Sequence, residues 1–180
     1  MVFDAGTGAG RCNLFDMSGR LVSYAYREWE YLKDLSSSNK EAMLFDAEQF
    51  KKILFSLCRK VIKQAGISAD EIVAVSATSQ REGMVWLDRF GKEIYAAPSV
   101  DLRGEEAADI LSGKEPFIKE ITGLPVSGMF GLARLLWYKK INEAVYDRID
   151  TVMMISDWIC YLLCGSKVSE PSVACLLYTS

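Results

Sequence analysis

The chain has 180 residues, of which 50% are hydrophobic and 25% charged, and its formal net charge is −3. This is enough apolar material for one packed core of ordinary domain size. Because Lys and Arg are spread along the chain, no field of one sign favours binding to nucleic acid or to an acidic membrane. Apolar runs are too short to cross a bilayer and no signal-peptide pattern is visible, so we expect a cytoplasmic protein.

The chain contains no histidine. Ser/His/Asp triads, Cys/His pairs, HExxH zinc sites and every other histidine-ligated metal site are therefore excluded within it. The five cysteines are an odd number without CxxC spacing, a pattern typical of reduced, buried thiols. The titratable side chains that remain for acid–base or nucleophilic roles are carboxylates, Lys, Arg, Tyr and thiols.

Three strands are predicted at the start of the chain, over 1–5, 11–17 and 21–29, with a glycine-rich loop between the first two. Apolar residues at helical spacing then predict an amphipathic helix over 46–66, with Asp46 as N-cap and Gly66 as C-cap.

The continuous apolar run 71–79 predicts a parallel strand buried on both faces, ending at Gln80. A hairpin over 83–96 follows, and its turn repeats the pattern D-x-x-G-basic of residues 16–20. Alternating helices and one strand complete the chain, which indicates an α/β domain with a mixed sheet. The helices are predicted over 102–112, 114–121, 130–140, 141–147 and 156–164, the last with Ser156 as N-cap and Asp157 as first-turn acid, and the strand over 151–155.

The stretch FDAGTGAGR, residues 3–11, carries the most specific local pattern. It is not a Walker loop, because the required lysine is missing, nor a dinucleotide fingerprint, because Arg11 occupies the third glycine position and a strand follows. A hairpin phosphate loop remains, in which the glycines and Thr7 face an anion, Arg11 adds charge and Asp4 holds Mg²⁺. From these residues alone, an ordinary glycine-rich turn is an equal alternative.

Within this stretch, D-x-G-T-x-x-x-R resembles the first phosphate loop of the sugar kinase and actin-like ATPase superfamily. The motifs SQREG, VDLRG, TGLP, ISDWICYLLCG and EPSVA follow in order, and together they resemble the FGGY carbohydrate kinases over about residues 2–174. The resemblance implies a ribonuclease H-like (actin-like ATPase) α/β domain with a mixed sheet and flanking helices. It also implies ATP and Mg²⁺ as cofactors and a small sugar as substrate, and it leaves a homodimer of the full-length protein open.

The same resemblance assigns roles to individual residues. Asp4 would organise Mg²⁺, and the loop would contact the ATP phosphates through Gly6, Thr7, Gly8 and Arg11. The substrate-binding residues would be Gln80, Arg81, Glu82, Asp101 and Arg103. No catalytic residue is assigned, because the family's catalytic aspartate lies beyond this segment, and Asp157 is expected to stabilise its helix instead.

Departures from the family pattern bear on the substrate. Glycerol kinases place a tryptophan where Ser99 stands and a tyrosine where Met129 stands, so the resemblance disfavours glycerol. The segments REGMV, SVDLRGEEA and MISDWICYLLCG are most similar to autoinducer-2 kinases, which phosphorylate a primary hydroxyl of dihydroxypentanedione. Pentulose (xylulose-type) kinases are the second expectation, and a non-catalytic actin-like nucleotide-binding module is the alternative of another class.

The resemblance also predicts the domain organisation. Residues 1–174 would form the N-terminal substrate and phosphate-loop domain, with some residues missing upstream, and CLLYTS (175–180) would be a non-native tail. A C-terminal ATP-binding domain would be absent from this chain. We therefore expect the chain alone to be inactive.

Overall fold

The computed structural model describes residues 1–170, which form three β-sheets, of four, three and two strands, with helices packed around them. The strands are β1 (Val2–Ala5), β2 (Ala9–Phe15), β3 (Leu21–Glu28), β4 (Leu32–Lys33), β5 (Met43–Leu44), β6 (Ser76–Ser79), β7 (Met84–Leu87), β8 (Glu93–Ala97) and β9 (Thr151–Met154). The helices are α1 (Ala47–Ala65), α2 (Glu105–Ser112), α3 (Glu115–Thr122), α4 (Gly131–Ile141), α5 (Glu143–Tyr146) and α6 (Ile155–Cys164), with a short 3-10 helix at Ala69–Glu71.

The larger sheet has the strand order β3-β2-β1-β6. β1 is antiparallel to β2 and parallel to β6, so the sheet is mixed, as predicted. In the β1–β2 hairpin, Asp4 lies opposite Arg11 and Ala5 opposite Gly10. The predicted phosphate loop is therefore the turn of this hairpin.

Besides the antiparallel two-stranded sheet of β4 and β5, a three-stranded sheet has the order β8-β7-β9, with both pairs antiparallel. Its hairpin turn and the turn between β2 and β3 share one geometry. In each, the aspartate Oδ1 accepts backbone N–H groups two and four residues later, at 2.9 and 3.1 Å for Asp16 and at 2.9 and 3.0 Å for Asp88. Gly19 and Gly91 then take the left-handed φ values of 84° and 78° that the turn requires.

Helix α1 forms as its sequence pattern predicts and packs against the larger sheet. The Asp46 carboxylate accepts the Gln49 N–H at 3.0 Å, and Gly66 ends the helix with φ 68°. Its buried face, which includes Leu54, Leu57 and Val61, joins the main core of the domain. Helix α1 thus covers β2 and β3, the two strands on one side of β1 in the sheet.

The strand predicted over 71–79 is wrong in extent and in burial. Only Ser76–Ser79 is a strand, and Val73 and Val75 are 79% and 45% exposed. The pairing with β1 is parallel, as expected, but β6 lies at the edge of its sheet. The apolar sequence therefore does not lie between two packed layers in the described part of the chain.

Two smaller expectations are also corrected. Helix α6 begins at Ile155 with Met154 as its N-cap, so Ser156 lies inside the first turn instead of capping it. Asp157 is in the first turn, as predicted, and its carboxylate accepts the Ser169 hydroxyl at 2.6 Å. Cys164 is exposed, whereas Cys12 is buried as expected.

Residues 171–180 lie outside the described part of the chain, and with them most of EPSVA and the tail predicted over 175–180. Among the described helices, none has the length and apolar character that crossing a membrane requires.

The loop before α2 and the loop before α4 meet at two glycines. A Cβ on Gly104 would lie 2.3 Å from the Gly128 carbonyl oxygen and 2.9 Å from the Ala133 Cβ, whereas Gly113 has no atom within 4 Å of its Cβ position and a φ of −65°. We expect Gly104→Ala to lower the free energy of unfolding by about 1–3 kcal/mol through overpacking. The matched control Gly113→Ala should leave it unchanged or slightly higher. Urea unfolding of both variants is the measurement, and equal midpoints would contradict this packing.

Candidate functional site

The loop between β1 and β2 is anchored by two aromatic side chains from the segment after β3. Trp29 Nε1 donates to the Thr7 carbonyl at 3.2 Å, and the Tyr31 hydroxyl donates to the same oxygen. Within the loop, the Gly6 N–H donates to the Ala9 carbonyl at 3.0 Å. These bonds leave the Thr7 carbonyl directed into the protein, so the loop is held from its inner side.

The glycines of this loop are not needed for a left-handed turn, because none of Gly6, Gly8 and Gly10 has a positive φ. Gly10 is required by a close contact instead, since its Cβ would lie 2.4 Å from the Trp29 ring. Gly8 has no atom within 4 Å of its Cβ position. The open side of the loop is therefore accessible to a ligand, while Trp29 packs against its base.

A cleft of about 380 Å³ lies at the loop between β1 and β2. Asp4 and Arg11 form an ion pair at the loop, with 3.0 Å between the Arg11 Nη1 and Asp4 Oδ2, and both side chains are partly exposed. An exposed pair of this kind is weak, so a stronger ligand can replace it at little cost. The residues that line the cleft are Gly6, Thr7, Gly8, Ala9, Arg11, Tyr26 and Glu28.

Asp4 fits the type of Mg²⁺ site that shares the metal with a phosphate. No group of three or more Cys, Asp or Glu side chains within residues 1–170 is arranged to hold a metal ion. Mg²⁺ commonly takes only one or two protein carboxylates and completes its shell with water and phosphate oxygens. The donor set is thus consistent with a metal that arrives with its nucleotide.

Gln80, directly after β6, links this loop to the loop after β8. Its Nε2 donates to the Tyr31 hydroxyl at 2.9 Å and to the Gly6 carbonyl at 3.4 Å. Its Oε1 accepts the backbone N–H and the hydroxyl of Ser99, both at 2.8 Å. Because both ends of the amide have partners inside the protein, Gln80 joins the two loops.

Glu82 is the most unusual residue of the site. It is the one described non-glycine residue with a positive φ, 62°, a conformation that costs an L-residue about 1 kcal/mol or more. Its side chain is buried, at 4% exposure, yet neither carboxylate oxygen has a hydrogen-bond partner among the described residues. Burial raises the pKa of Glu82 to about 6, against the opposing charges of Arg134 and Arg81. A buried carboxylate without partners lowers the stability of the fold, and its oxygens have unused capacity to accept hydrogen bonds from a ligand.

The two neighbours of Glu82 differ in their environment. Arg81 is exposed, so its guanidinium is available to a ligand. Gly83 is packed so closely that a Cβ would lie 2.5 Å from Ile155 Cδ1 and 2.9 Å from Gln80 Cγ. The segment 80–83 is therefore rigidly seated, with Arg81 projecting from it.

Asp101 and Arg103 lie inside the protein, both at 0% exposure, and each has hydrogen-bond partners there. Arg103 Nε donates to Asp101 at 2.7 Å, and its Nη1 donates to Asp34 and to the Tyr138 hydroxyl, each at 2.8 Å. The Tyr95 hydroxyl also donates to Asp101, and the Arg103 guanidinium lies over the rings of Tyr95, Tyr138 and Trp137 at 5.1–5.3 Å. This buried cluster fixes the loop that carries Ser99.

Sequence reasoning assigned no role to Trp29, Tyr31, Asp34 or Arg134. Arg134 is fully buried on α4, and it donates from Nη1 to the Glu82 carbonyl at 2.9 Å and from Nη2 to the Ser99 carbonyl at 3.3 Å. No local motif marks these four residues. An arginine at a position that the helical pattern places inside the core is the one signal that sequence reasoning could have used for Arg134.

Comparison with known proteins agrees with this architecture. The chain is 34% identical over 180 residues to an autoinducer-2 kinase of Salmonella paratyphi B, an alignment that covers 97% of this chain and 33% of that protein. A xylulose kinase structure from Rhodospirillum rubrum matches 97% of this chain and 36% of that one, with a TM-score of 0.84 at 21% identity. A ligand-bound xylulose kinase from Lactobacillus acidophilus gives a TM-score of 0.79 at 20% identity, with coverage of 97% and 35%.

The chain thus spans about a third of the length of the relatives that it matches. Residues 1–176 match the N-terminal domain of the FGGY family of carbohydrate kinases. The structure and the comparisons therefore agree with the resemblance in the sequence motifs, and the chain belongs to the FGGY family of carbohydrate kinases.

Proposed function

We propose that the protein containing this chain is an ATP-dependent kinase that phosphorylates a primary hydroxyl of a small sugar or sugar-like molecule. The preferred acceptor is autoinducer-2, dihydroxypentanedione, because the curated relatives at 34% identity that align with 97% of this chain are autoinducer-2 kinases. A pentulose is the second candidate. The observation that carries the proposal is the buried, unpartnered Glu82 carboxylate beside the exposed Arg81.

The acceptor is proposed to bind at the end of β6, against Arg81 and Glu82. A polyol presents hydroxyl groups that both donate and accept hydrogen bonds. The Glu82 oxygens would accept from one hydroxyl and the Arg81 guanidinium would donate to another, in directions fixed by each planar group. Since the Glu82 carboxylate has no hydrogen-bond partner among the described residues, a hydroxyl would satisfy a group that is otherwise buried and unpaired.

The nucleotide phosphates are proposed to bind in the cleft at the β1–β2 loop. ATP with Mg²⁺ would supply the transferred phosphoryl group and neutralise the charge that develops during transfer. Arg11 would donate to phosphate oxygens and Asp4 would take part in holding the metal, with Gly6, Thr7 and Gly8 lining the approach. In the bound state, the Asp4–Arg11 pair would separate and each partner would contact its own ligand.

Asp101 and Arg103 are proposed to act through the loop that they hold. Their side chains are fully buried and bonded to Tyr95, Asp34 and Tyr138, which supports a structural role for both. Direct contact with substrate stays a prediction from the family resemblance. The aspartate that would take the proton from the attacking hydroxyl, and the adenosine site, are proposed to belong to a further domain of the whole protein.

The proposal is tested with the intact protein, ATP, Mg²⁺ and a panel of acceptors: dihydroxypentanedione, xylulose, ribulose and glycerol. We expect ATP-dependent phosphorylation, with the highest kcat/KM for dihydroxypentanedione. Phosphorylation of a pentulose at higher kcat/KM would support the second candidate. ATP binding without transfer to any acceptor would refute the kinase proposal and favour a nucleotide-binding module.

Arg81→Ala is expected to raise the KM for the acceptor by about tenfold or more, because a charged hydrogen-bond donor is lost. Basal ATP binding should not change, since Arg81 lies on the acceptor side. Arg89→Ala, which removes another exposed arginine in the turn before β8, is the matched control and should behave as wild type. An unchanged acceptor KM in Arg81→Ala would remove Arg81 from the site.

Glu82→Gln is expected to stabilise the protein without substrate and to weaken acceptor binding. Burial raises the pKa of Glu82 from its ordinary value of 4.5 to about 6, so the ionised form is disfavoured in the folded state. The resulting loss of stability is absent below about pH 4, grows between pH 4.5 and 6, and is complete above pH 7, where it amounts to about 1–2 kcal/mol.

Thermal unfolding of Glu82→Gln and wild type at pH 4 and pH 7.5 measures this difference. The variant should unfold at a higher temperature than wild type at pH 7.5, and the gap should close at pH 4. Glu30→Gln, at an exposed glutamate, is the control and should show no gap at either pH. A variant less stable than wild type at pH 7.5 would show that Glu82 has a stabilising partner.

A further inference from the structure

Arg134 connects the two loops from which the proposed acceptor site is built. It lies on α4, outside every sequence motif of the site, and is fully buried. Its Nη1 donates to the carbonyl of Glu82 at 2.9 Å and its Nη2 to the carbonyl of Ser99 at 3.3 Å. One guanidinium thus joins the segment after β6 to the segment after β8.

The geometry of these bonds requires an arginine. The guanidinium is planar and presents its donors in a fixed fork, so it can bind two acceptors in different directions at once. Both acceptors are backbone carbonyls, so the two hydrogen bonds fix the main chain at Glu82 and Ser99. The Glu82 carbonyl belongs to a residue with φ 62°, and a bond to it helps to keep that unfavourable conformation.

The charge of Arg134 has no carboxylate bonded to it among the described residues. Arg103, the other fully buried arginine, is bonded to two carboxylates, those of Asp34 and Asp101. If this position only had to fill space in the core, Leu or Met would give a more stable protein, because burying an unpaired charge is unfavourable. The nearby carboxylate without a hydrogen-bond partner is that of Glu82. Burial raises the pKa of Glu82, and the positive charge of Arg134 lowers it in part.

We infer that Arg134 is a positioning residue for the acceptor site: by binding the Glu82 and Ser99 carbonyls it holds Arg81 and Glu82 in the arrangement that receives the acceptor hydroxyls. This inference rests on the proposed function. Arg134 itself is enclosed and does not touch the acceptor. Its effect on binding is transmitted through the backbone of residues 80–83.

The test compares Arg134→Gln and Arg134→Lys with wild type in the intact protein. Glutamine removes the charge and the fork, whereas lysine keeps the charge and can reach one carbonyl. We expect the acceptor KM to rise about tenfold or more in Arg134→Gln and about threefold in Arg134→Lys, with the KM for ATP unchanged. Leu57→Ala, a core variant on the buried face of α1, is the control for lost stability and should leave both KM values unchanged.

Hydrogen–deuterium exchange gives a second readout that needs no substrate. Exchange at 80–83 and 98–100 should accelerate in both Arg134 variants, while exchange within α1 stays as in wild type. If Arg134→Gln does not fold, Arg134→Lys decides with the same two measurements. A folded variant with wild-type exchange at these loops and wild-type acceptor KM would overturn the inference.

The two proposals fail in different ways. If the wild-type protein phosphorylates none of the acceptors, the proposed function is wrong, and the exchange measurement still shows whether Arg134 holds the two loops. If phosphorylation is found but the Arg134 variants match wild type in exchange at 80–83 and 98–100 and in acceptor KM, only the positioning role is wrong.

Discussion

The arrangement of the site depends on how the four residues between β6 and β7, 80–83, are held. They join the four-stranded sheet to the three-stranded sheet, so a movement there would shift these two sheets relative to each other. Gln80 is bonded on one side to the β1–β2 loop and on the other to Ser99, Arg134 holds the carbonyl of Glu82, and the Gly83 carbonyl accepts the Ile155 N–H at 3.1 Å. These contacts come from four separate parts of the chain. The positive φ of Glu82 persists because they fix the segment from several directions.

Sequence reasoning succeeded where the signal was local. Helix α1, the two D-x-x-G turns and the β1–β2 hairpin are set by residues within a few positions of each other, and all were predicted. It failed for 71–79, since burial of an apolar strand depends on what packs beside it. Sequence reasoning could name the motif residues as candidates for the site because each motif is a short contiguous stretch. Their partners could not, because Tyr31 lies 49 residues from Gln80 and Arg134 lies 52 from Glu82.

The two fully buried arginines show why burial alone does not define a role. Arg103 is bonded to two carboxylates and lies among three aromatic rings, so its charge is compensated where it stands. Arg134 is bonded to carbonyls only, and an unpartnered carboxylate lies in its field. The first arrangement stabilises a loop. The second leaves two opposite charges that are not bonded to each other. This arrangement costs stability in the ligand-free protein and is expected where a ligand supplies the missing hydrogen bonds.

The Gln80 side chain links the β1–β2 loop to the loop after β8. Phosphoryl transfer depends on holding donor and acceptor in line, and small displacements are costly. The β1–β2 loop and the loop after β8 belong to different sheets, yet the Gln80 side-chain amide binds both through Tyr31, Gly6 and Ser99. Because each end of that amide is fully used, neither loop can move without breaking hydrogen bonds in a buried setting. The distance between the two proposed binding regions is therefore set by contacts inside this domain.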